Sequence, residues 1–270
     1  IQGSALNRLP QFQAGFQEKH LNGVIERLEL FLKIVRIVGD IHVRDIIHKD
    51  LNLSNIVLNP ETGALNIIDF GIASKLPKEQ PVLTQPEHLE GTLAYLAPEQ
   101  TGRMNRSIDY RSDFYALGII LYKMLTSVLP FTASEPITLV HEHIATPPVP
   151  PHEVNPSIPE QVSQIVLKLL AKNAEDRYQS AFGIAQDIRR CLEELQATRT
   201  IASFAVGQRD VPSRFQIPEV LYGREAEIRH LLDIFGKMMQ GSSELVFVAG
   251  YSGIGKSALV HEVHKPIAQT

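Results

Sequence analysis

The chain has 270 residues, 44% hydrophobic and 21% charged, with a formal net charge of −4. That is a globular composition, enough for one large domain or two ordinary ones, and the absence of a dense Lys/Arg cluster argues against nucleic-acid binding. A single cysteine, Cys191, excludes an internal disulfide and a cysteine-based zinc site and points to a reducing, cytoplasmic compartment, while no apolar run reaches the roughly eighteen residues of a membrane span.

The first residue is Ile1, with no signal-peptide pattern, and the chain reads as a piece of a longer one. Residues 1–20 carry a weak signal. From Leu21, apolar residues recur at helical spacing through Val24, Leu28, Phe31, Leu32, Val35 and Val38, which predicts an amphipathic helix ending between Gly39 and Arg44. Two short strands, "NIVLN" and "ALNIID", flank the turn "PETG" and predict a hairpin. Residues 72–98 lack periodicity and read as a long ordered loop, of a length that in compact domains is usually functional or mobile. "DFYALGIILYKMLT", from Asp113 to Thr126, predicts a helix buried on most sides. Further helices are expected near 135–145, 158–172 and 180–197, with a Pro-rich connector between the first two and a solvated, mixed-charge face from Asp187 to Glu194. Residues 198–221 read as a linker. A helix then begins near Glu225, followed by "ELVFVAG" as a buried strand and "KSALVHEVH" as the next helix.

Two constellations carry chemistry. "HKDLNLSN" fits H-x-D-x-x-x-x-N with His48, Asp50 and Asn55. Asp69-Phe70-Gly71 follows Asn55 by fourteen residues, and Glu99 closes "GTLAYLAPE" thirty residues after Asp69. A His and an Asp two apart in a surface loop are usually solvated, and a lone Asp-Phe-Gly is no better. The ordered set is specific, and it resembles the C-lobe of a protein kinase. That resemblance implies that Asp50 orients the acceptor hydroxyl or takes its proton, and that Asn55 and Asp69 hold Mg²⁺. It gives His48, Gly71, Glu99, Asp113 and Arg177 structural roles. Asp113 would bond the catalytic-loop backbone, and Arg177 would pair with Glu99, a geometry that can be bidentate. Thr92 stands where Ser/Thr-directed kinases carry a Thr, which favours Ser/Thr as the acceptor. Ser74 and Thr84 are loop hydroxyls of the kind that is phosphorylated in activation segments, although most such hydroxyls are merely solvated.

The chain departs from the family pattern in three places. Lys49 replaces the Arg before the catalytic Asp, which lowers the expectation of control by activation-loop phosphorylation. Asn52 replaces a cation that steadies the transferred phosphate, which should slow the chemistry. No Gly-rich loop or VAIK-like Lys precedes His48, so the piece as given is expected to bind ATP weakly and to be inactive alone. The remaining histidines show no ligand spacing: "HEH" at 141–143 places its two on different helix faces, and His42 in "HVRD" reads as a helix end.

The second constellation is "GYSGIGKS", which matches G-x-x-x-x-G-K-[ST] between a predicted strand and helix. Backbone N–H groups of Gly250, Gly253 and Gly255 would wrap phosphate, Lys256 would reach the β and γ groups, and Ser257 would help hold Mg²⁺. With "LYGREAEIRHLL" upstream, this segment resembles the entry of AAA-like and STAND-type ATPases. The resemblances imply an α+β fold: a mostly helical kinase-like C-lobe with small β-hairpins, then the truncated start of an α/β P-loop domain. They place a kinase-like domain at 1–197, a linker at 198–221 and the ATPase start at 222–270. The order is similar to the head of bacterial multidomain sensor kinases. It implies an ATP- and Mg²⁺-dependent serine/threonine kinase with a protein substrate, in two-component-type signalling, with sensor and histidine-kinase domains downstream or in partner proteins. The alternatives are a pseudokinase-like binding module and a nucleotide switch driven by the P-loop domain.

Overall fold

The computed structural model describes residues 3–9, 21–75, 93–102, 107–212, 223–239, 241–251, 255–256 and 259–260. The chain divides into two compact units, Ile1–Ser213 and Arg214–Thr270. Thr84, Thr92, Gly253 and Ser257 lie outside the described residues.

The first unit is an α+β kinase-like lobe. Helix α1 (Leu21–Val43) buries Val24, Leu28, Phe31, Leu32, Val35 and Val38 of the stripe that the spacing predicts, and Ile34 besides. Strands β3 (Ile56–Leu58) and β4 (Leu65–Ile67) form the expected antiparallel hairpin, with Ile56 opposite Ile67 and Leu58 opposite Leu65. Its turn is set by Asn59, whose side-chain oxygen accepts from Glu61 and Thr62 N–H groups, and by Gly63 at φ +66°. Strand β1 (Ser4–Ala5), absent from the sequence reading, pairs with β3. A second ladder joins β2 (Ile46–Ile47) to β5 (Ser74–Lys75) and so brackets the segment between them.

Helix α2 (Arg111–Thr126) is the unit's axis, with every residue but Lys123 buried. A helix apolar all round must sit inside a core, and a side chain at Gly118 would collide with Leu169 and Leu170. Helix α1, α4 (Pro151–Val154) and α5 (Glu160–Leu169) pack against it, α3 (Pro136–Ala145) meets it through Tyr115 and His143, and α6 (Ala181–Thr198) packs on α1 and α5. Ser180 caps α6 by accepting from Gly183 N–H at 2.9 Å.

Four expectations are corrected. The described ends of the 72–98 loop hold β5 and the 3-10 turns Leu93–Tyr95 and Pro98–Thr101. The Pro-rich connector contains α4, since Pro151 at the first helical position is compatible with a helix start. The face from Asp187 to Glu194 is not solvated throughout, because Asp187, Ile188, Cys191 and Leu192 are buried. "ELVFVAG" is not a buried strand. It has no regular structure, and Leu245 and Phe247 are 81% and 84% exposed. A strand needs a neighbour to pair its N–H and C=O groups, and the described residues of 214–270 supply none. In that unit α7 (Glu225–Met239) forms with Glu225 and Glu227 in its first turn. Leu259 N–H bonds Gly255 C=O at 2.9 Å, the start of the helix expected after the P-loop.

Candidate active site

The loop from His48 to Asn55 runs from β2 into β3. Its backbone is fixed from below by Asp113, in the first turn of α2 and 1% exposed. Asp113 Oδ2 accepts from His48 N–H at 2.9 Å and Oδ1 from Lys49 N–H at 2.8 Å. His42 Nε2 donates to Asp113 Oδ2 at 2.8 Å. These charge-assisted bonds hold Lys49 at φ +67°, a left-handed conformation that costs a non-glycine residue about 1–3 kcal/mol. Gln100 adds a tie from the turn after Glu99, its Nε2 donating to Lys49 C=O at 2.8 Å.

His48 sits behind the loop. Its Nδ1 accepts from Asp50 N–H at 3.3 Å, which leaves Nε2 to donate to Ile68 C=O at 3.1 Å. Its ring packs 4.7 Å from that of Phe70. One residue thus bridges the His48–Asn55 and Asp69–Gly71 segments. The hairpin makes the second bridge, with Ile68 N–H donating to Asn55 C=O at 2.9 Å.

The Asp50 carboxylate lies between two amides. Asn52 Nδ2 donates to Oδ1 at 3.1 Å and Asn55 Nδ2 to Oδ2 at 3.2 Å; both also reach Asp50 C=O, at 3.2 and 2.9 Å. Burial pushes the Asp50 carboxyl above its ordinary value, against the two amide bonds, and the nearby Asp69 charge pushes the same way. Asp69 is exposed and left-handed at φ +64°, and its Oδ1 accepts from Gly71 N–H at 3.3 Å. A Cβ at Gly71 would crowd that oxygen at 3.1 Å. Asp50, Asn55 and Asp69 are therefore brought together at one end of the β3–β4 hairpin. The donors are carbonyl and carboxylate oxygens, which suit a hard cation such as Mg²⁺ completed by phosphate oxygens and water. Among the described residues no three His, Cys, Asp or Glu side chains converge as a protein-only metal cage.

Asn52 does two things at once. Its Oδ1 accepts from Ser54 and Asn55 N–H groups at 2.9 and 3.2 Å while its Nδ2 holds Asp50. The sequence marked it only as a missing cation. The signal for the loop-shaping role is the Asn-x-Ser-Asn spacing, which permits side-chain bonds to backbone two and three residues on.

Behind the site, Arg177 and Glu99 form a buried bidentate pair at 2.7 and 2.8 Å. The guanidinium also donates to Ala171, Arg111 and Lys172 carbonyls, so each polar edge is answered. His42, read as a mere helix end, is the residue that the sequence reading missed: its bond to Asp113 ties α1 to the His48–Asn55 loop. His143 is buried too, Nδ1 lying 3.0 Å from Tyr115 Oη, whereas its neighbour two back, His141, is exposed.

In the second unit, Gly250, Gly255 and Lys256 are described. Lys256 Nζ donates to Gly250 and Tyr251 carbonyls at 2.9 and 2.8 Å, and Gly255 is left-handed at φ +88°. Beside them a cavity of about 430 Å³ is lined by Arg224, Glu227, His230, Val246, Gly255 and Lys256, among others.

The lobe is mostly helical and presents Asp, Asn and a second Asp at one hairpin end. Comparison with known proteins gives the family. The protein kinase domain matches residues 1–191 and the AAA ATPase domain residues 220–270. The chain belongs to the protein kinase family and continues into an AAA ATPase segment. It is 38% identical over 149 residues to serine/threonine-protein kinase PknB of Mycobacterium tuberculosis, covering 55% of this chain and 23% of that protein. It is 30% identical over 198 residues to a probable serine/threonine-protein kinase of Clostridium perfringens, covering 73% and 28%. It is 33% identical over 194 residues to hybrid signal transduction histidine kinase G of Dictyostelium discoideum, covering 64% and 6%. The chain thus spans less than a third of the length of these relatives. No described helix is long and apolar enough to cross a membrane.

Proposed function

We propose that the chain is the catalytic-loop half of an ATP- and Mg²⁺-dependent serine/threonine kinase, within a larger bacterial signalling protein of the sensor-kinase type. The kinase-like domain extends to residue 197 and the P-loop ATPase begins near residue 222. Asp50 orients the acceptor hydroxyl and receives its proton; Asn55 and Asp69 would hold Mg²⁺, which, when bound, neutralises charge on the phosphates of ATP. In the second unit Gly250, Gly253, Gly255 and Lys256 would hold a nucleotide's phosphates, and Ser257 its metal ion.

The observation that carries this reading is the Asp50 carboxylate, held by the Asn55 amide beside Asp69 and raised in pKa chiefly by burial. The raised value brings Asp50 closer to what a base needs, since burial weakens its hold on solvent. A regulatory binding module is the second reading, and Asn52 favours it: where the family carries a cation, this chain commits a neutral amide to Asp50. A Mg-ATP phosphotransfer assay on a Ser/Thr peptide, using the chain joined to its native upstream sequence, separates the two. Transfer that Asp69→Ala abolishes supports the kinase. Nucleotide binding without transfer supports the module.

A further inference from the structure

The segment after α6 reads as a spacer in sequence, yet residues 199–210 are tied down point by point. Arg199 donates to Asn22 Oδ1 on α1 at 2.6 Å, and Ala202 N–H to Glu194 Oε2 at 2.6 Å. The Phe204 backbone exchanges bonds with the Gln161 amide, at 2.7 and 3.4 Å, and its ring lies 4.2 Å under the Arg190 guanidinium. Gly207 N–H donates to the buried Asp187, which also accepts from Tyr178 Oη; both distances are 2.6 Å. Asp210 ends the series, accepting from Gln179 N–H at 2.5 Å and Ser180 Oγ at 2.7 Å.

Two glycines are matched to this seat. Gly207 is at φ +78°, and a Cβ there would strike the Lys168 side chain. A Cβ at Gly183 would overlap the Asp210 carboxylate. The seat is nonetheless not a filled core. Cavities of about 470 and 550 Å³ open beside Phe204, and only Ile201, Phe204 and Val206, each half-buried, pack against the core, so the segment is held by discrete tethers and a thin apolar contact, the kind of seat that opens locally before the core does.

Its last tether reaches the site. Gln179, which Asp210 holds, accepts from Tyr110 Oη at its carbonyl and from Arg111 at its Oε1. Its Nε2 donates to Ala174, Glu175 and Arg177 carbonyls, the turn that aims Arg177 at Glu99. Gln100, next to Glu99, holds Lys49 C=O, beside Asp50. We propose that residues 199–210 are a releasable latch of the kinase fold, through which Asp210, by seating Gln179, steadies the Arg177–Glu99 pair and the turn at 98–101. Its significance for phosphotransfer rests on the kinase reading above; the latch itself does not.

Contiguity alone does not prove coupling, so the test measures it without catalysis. Hydrogen exchange is followed by mass spectrometry on the 270-residue chain and on three variants. Asp210→Ala removes the carboxylate. Gly183→Ala keeps it but blocks its seat, with a better helix former. Phe204→Ala cuts the tether farther from the site. Losing one charge-assisted bond should speed exchange about tenfold or more within 199–212. In Asp210→Ala and Gly183→Ala, amides of 98–101 and 177–183 should also exchange at least about threefold faster, with α1 unchanged; in Phe204→Ala they should change less. A rise confined to 199–212, or a uniform rise that includes α1, overturns the proposal. If no condition yields phosphotransfer, the kinase reading fails while the exchange result still decides the latch.

Discussion

In the kinase unit, the loop at 48–55 is met by side chains from far along the chain: Asp113, 65 residues from His48, and Gln100, 51 residues from Lys49. In the second unit, the described residues of the 250–256 loop bond close by in sequence, with Lys256 donating to Gly250 and Tyr251. Both motifs are phosphate-site patterns of similar length. They differ in their surroundings: a core of α1, α2, α5 and α6 encloses the first, while apolar residues leading into the second, Leu245 and Phe247, face solvent. A motif specifies which chemical groups are available, and long-range packing specifies where they point.

The comparison can be broken most directly at the two carboxylates proposed for catalysis. Asp50→Asn should lower phosphotransfer roughly 10²–10⁴-fold, and Asp69→Ala at least as much, while Lys256→Ala leaves the same assay within a few-fold. Equal losses from Lys256→Ala would mean that the transfer belongs to the second unit.

Stability sharpens it next. Arg177→Ala strands Glu99 as a buried, unpaired charge and should cost about 3–5 kcal/mol in denaturant unfolding of the kinase unit. Phe247→Ser, on an exposed side chain, should stay within about 0.5 kcal/mol.

A pH scan gives a smaller effect. Burial, chiefly, and the Lys172 charge push the His143 imidazole down to about 3. The folded state keeps it neutral while the unfolded chain takes up a proton below about 6.5. Stability should therefore fall as pH drops from there toward 3, with a slope approaching about 1.4 kcal/mol per pH unit from this group. His143→Gln should flatten that slope.

The smallest effect has the opposite sign to the loss of activity. Because burial raises the Asp50 carboxyl, its charge is a cost to the fold above pH 4 or so. Asp50→Asn should raise the kinase unit's stability at pH 7, by less than about 1 kcal/mol because the group is only half-buried.

Much of this was legible in the sequence. The periodicity that places α1, α2, α3, α5 and α6 and the alternation that gives the β3–β4 hairpin are local, and each element buries the face its pattern marks. What the sequence hid was non-local. Two-residue strands such as β1, β2 and β5 carry no period, and exist only because a partner strand is near. His42 looks like a helix end until Asp113 is placed against it, and Asp187 looks solvated until Gly207 and Tyr178 are. The opposite error occurred at "ELVFVAG", where apolar residues imply a strand and the described residues provide nothing to pair with.

The central claim is that Asp50, Asn55 and Asp69 act as one site for a metal-bound phosphate tail. Amide NMR of the chain joined to its native upstream sequence, with Mn²⁺ and ATP and in a Lys256→Ala background that weakens the P-loop, tests it most directly. Paramagnetic broadening of residues 50, 55 and 69–71 together, removed by Asp69→Ala, is the predicted result. Broadening at one segment without the other, or persistence after Asp69→Ala, would contradict it.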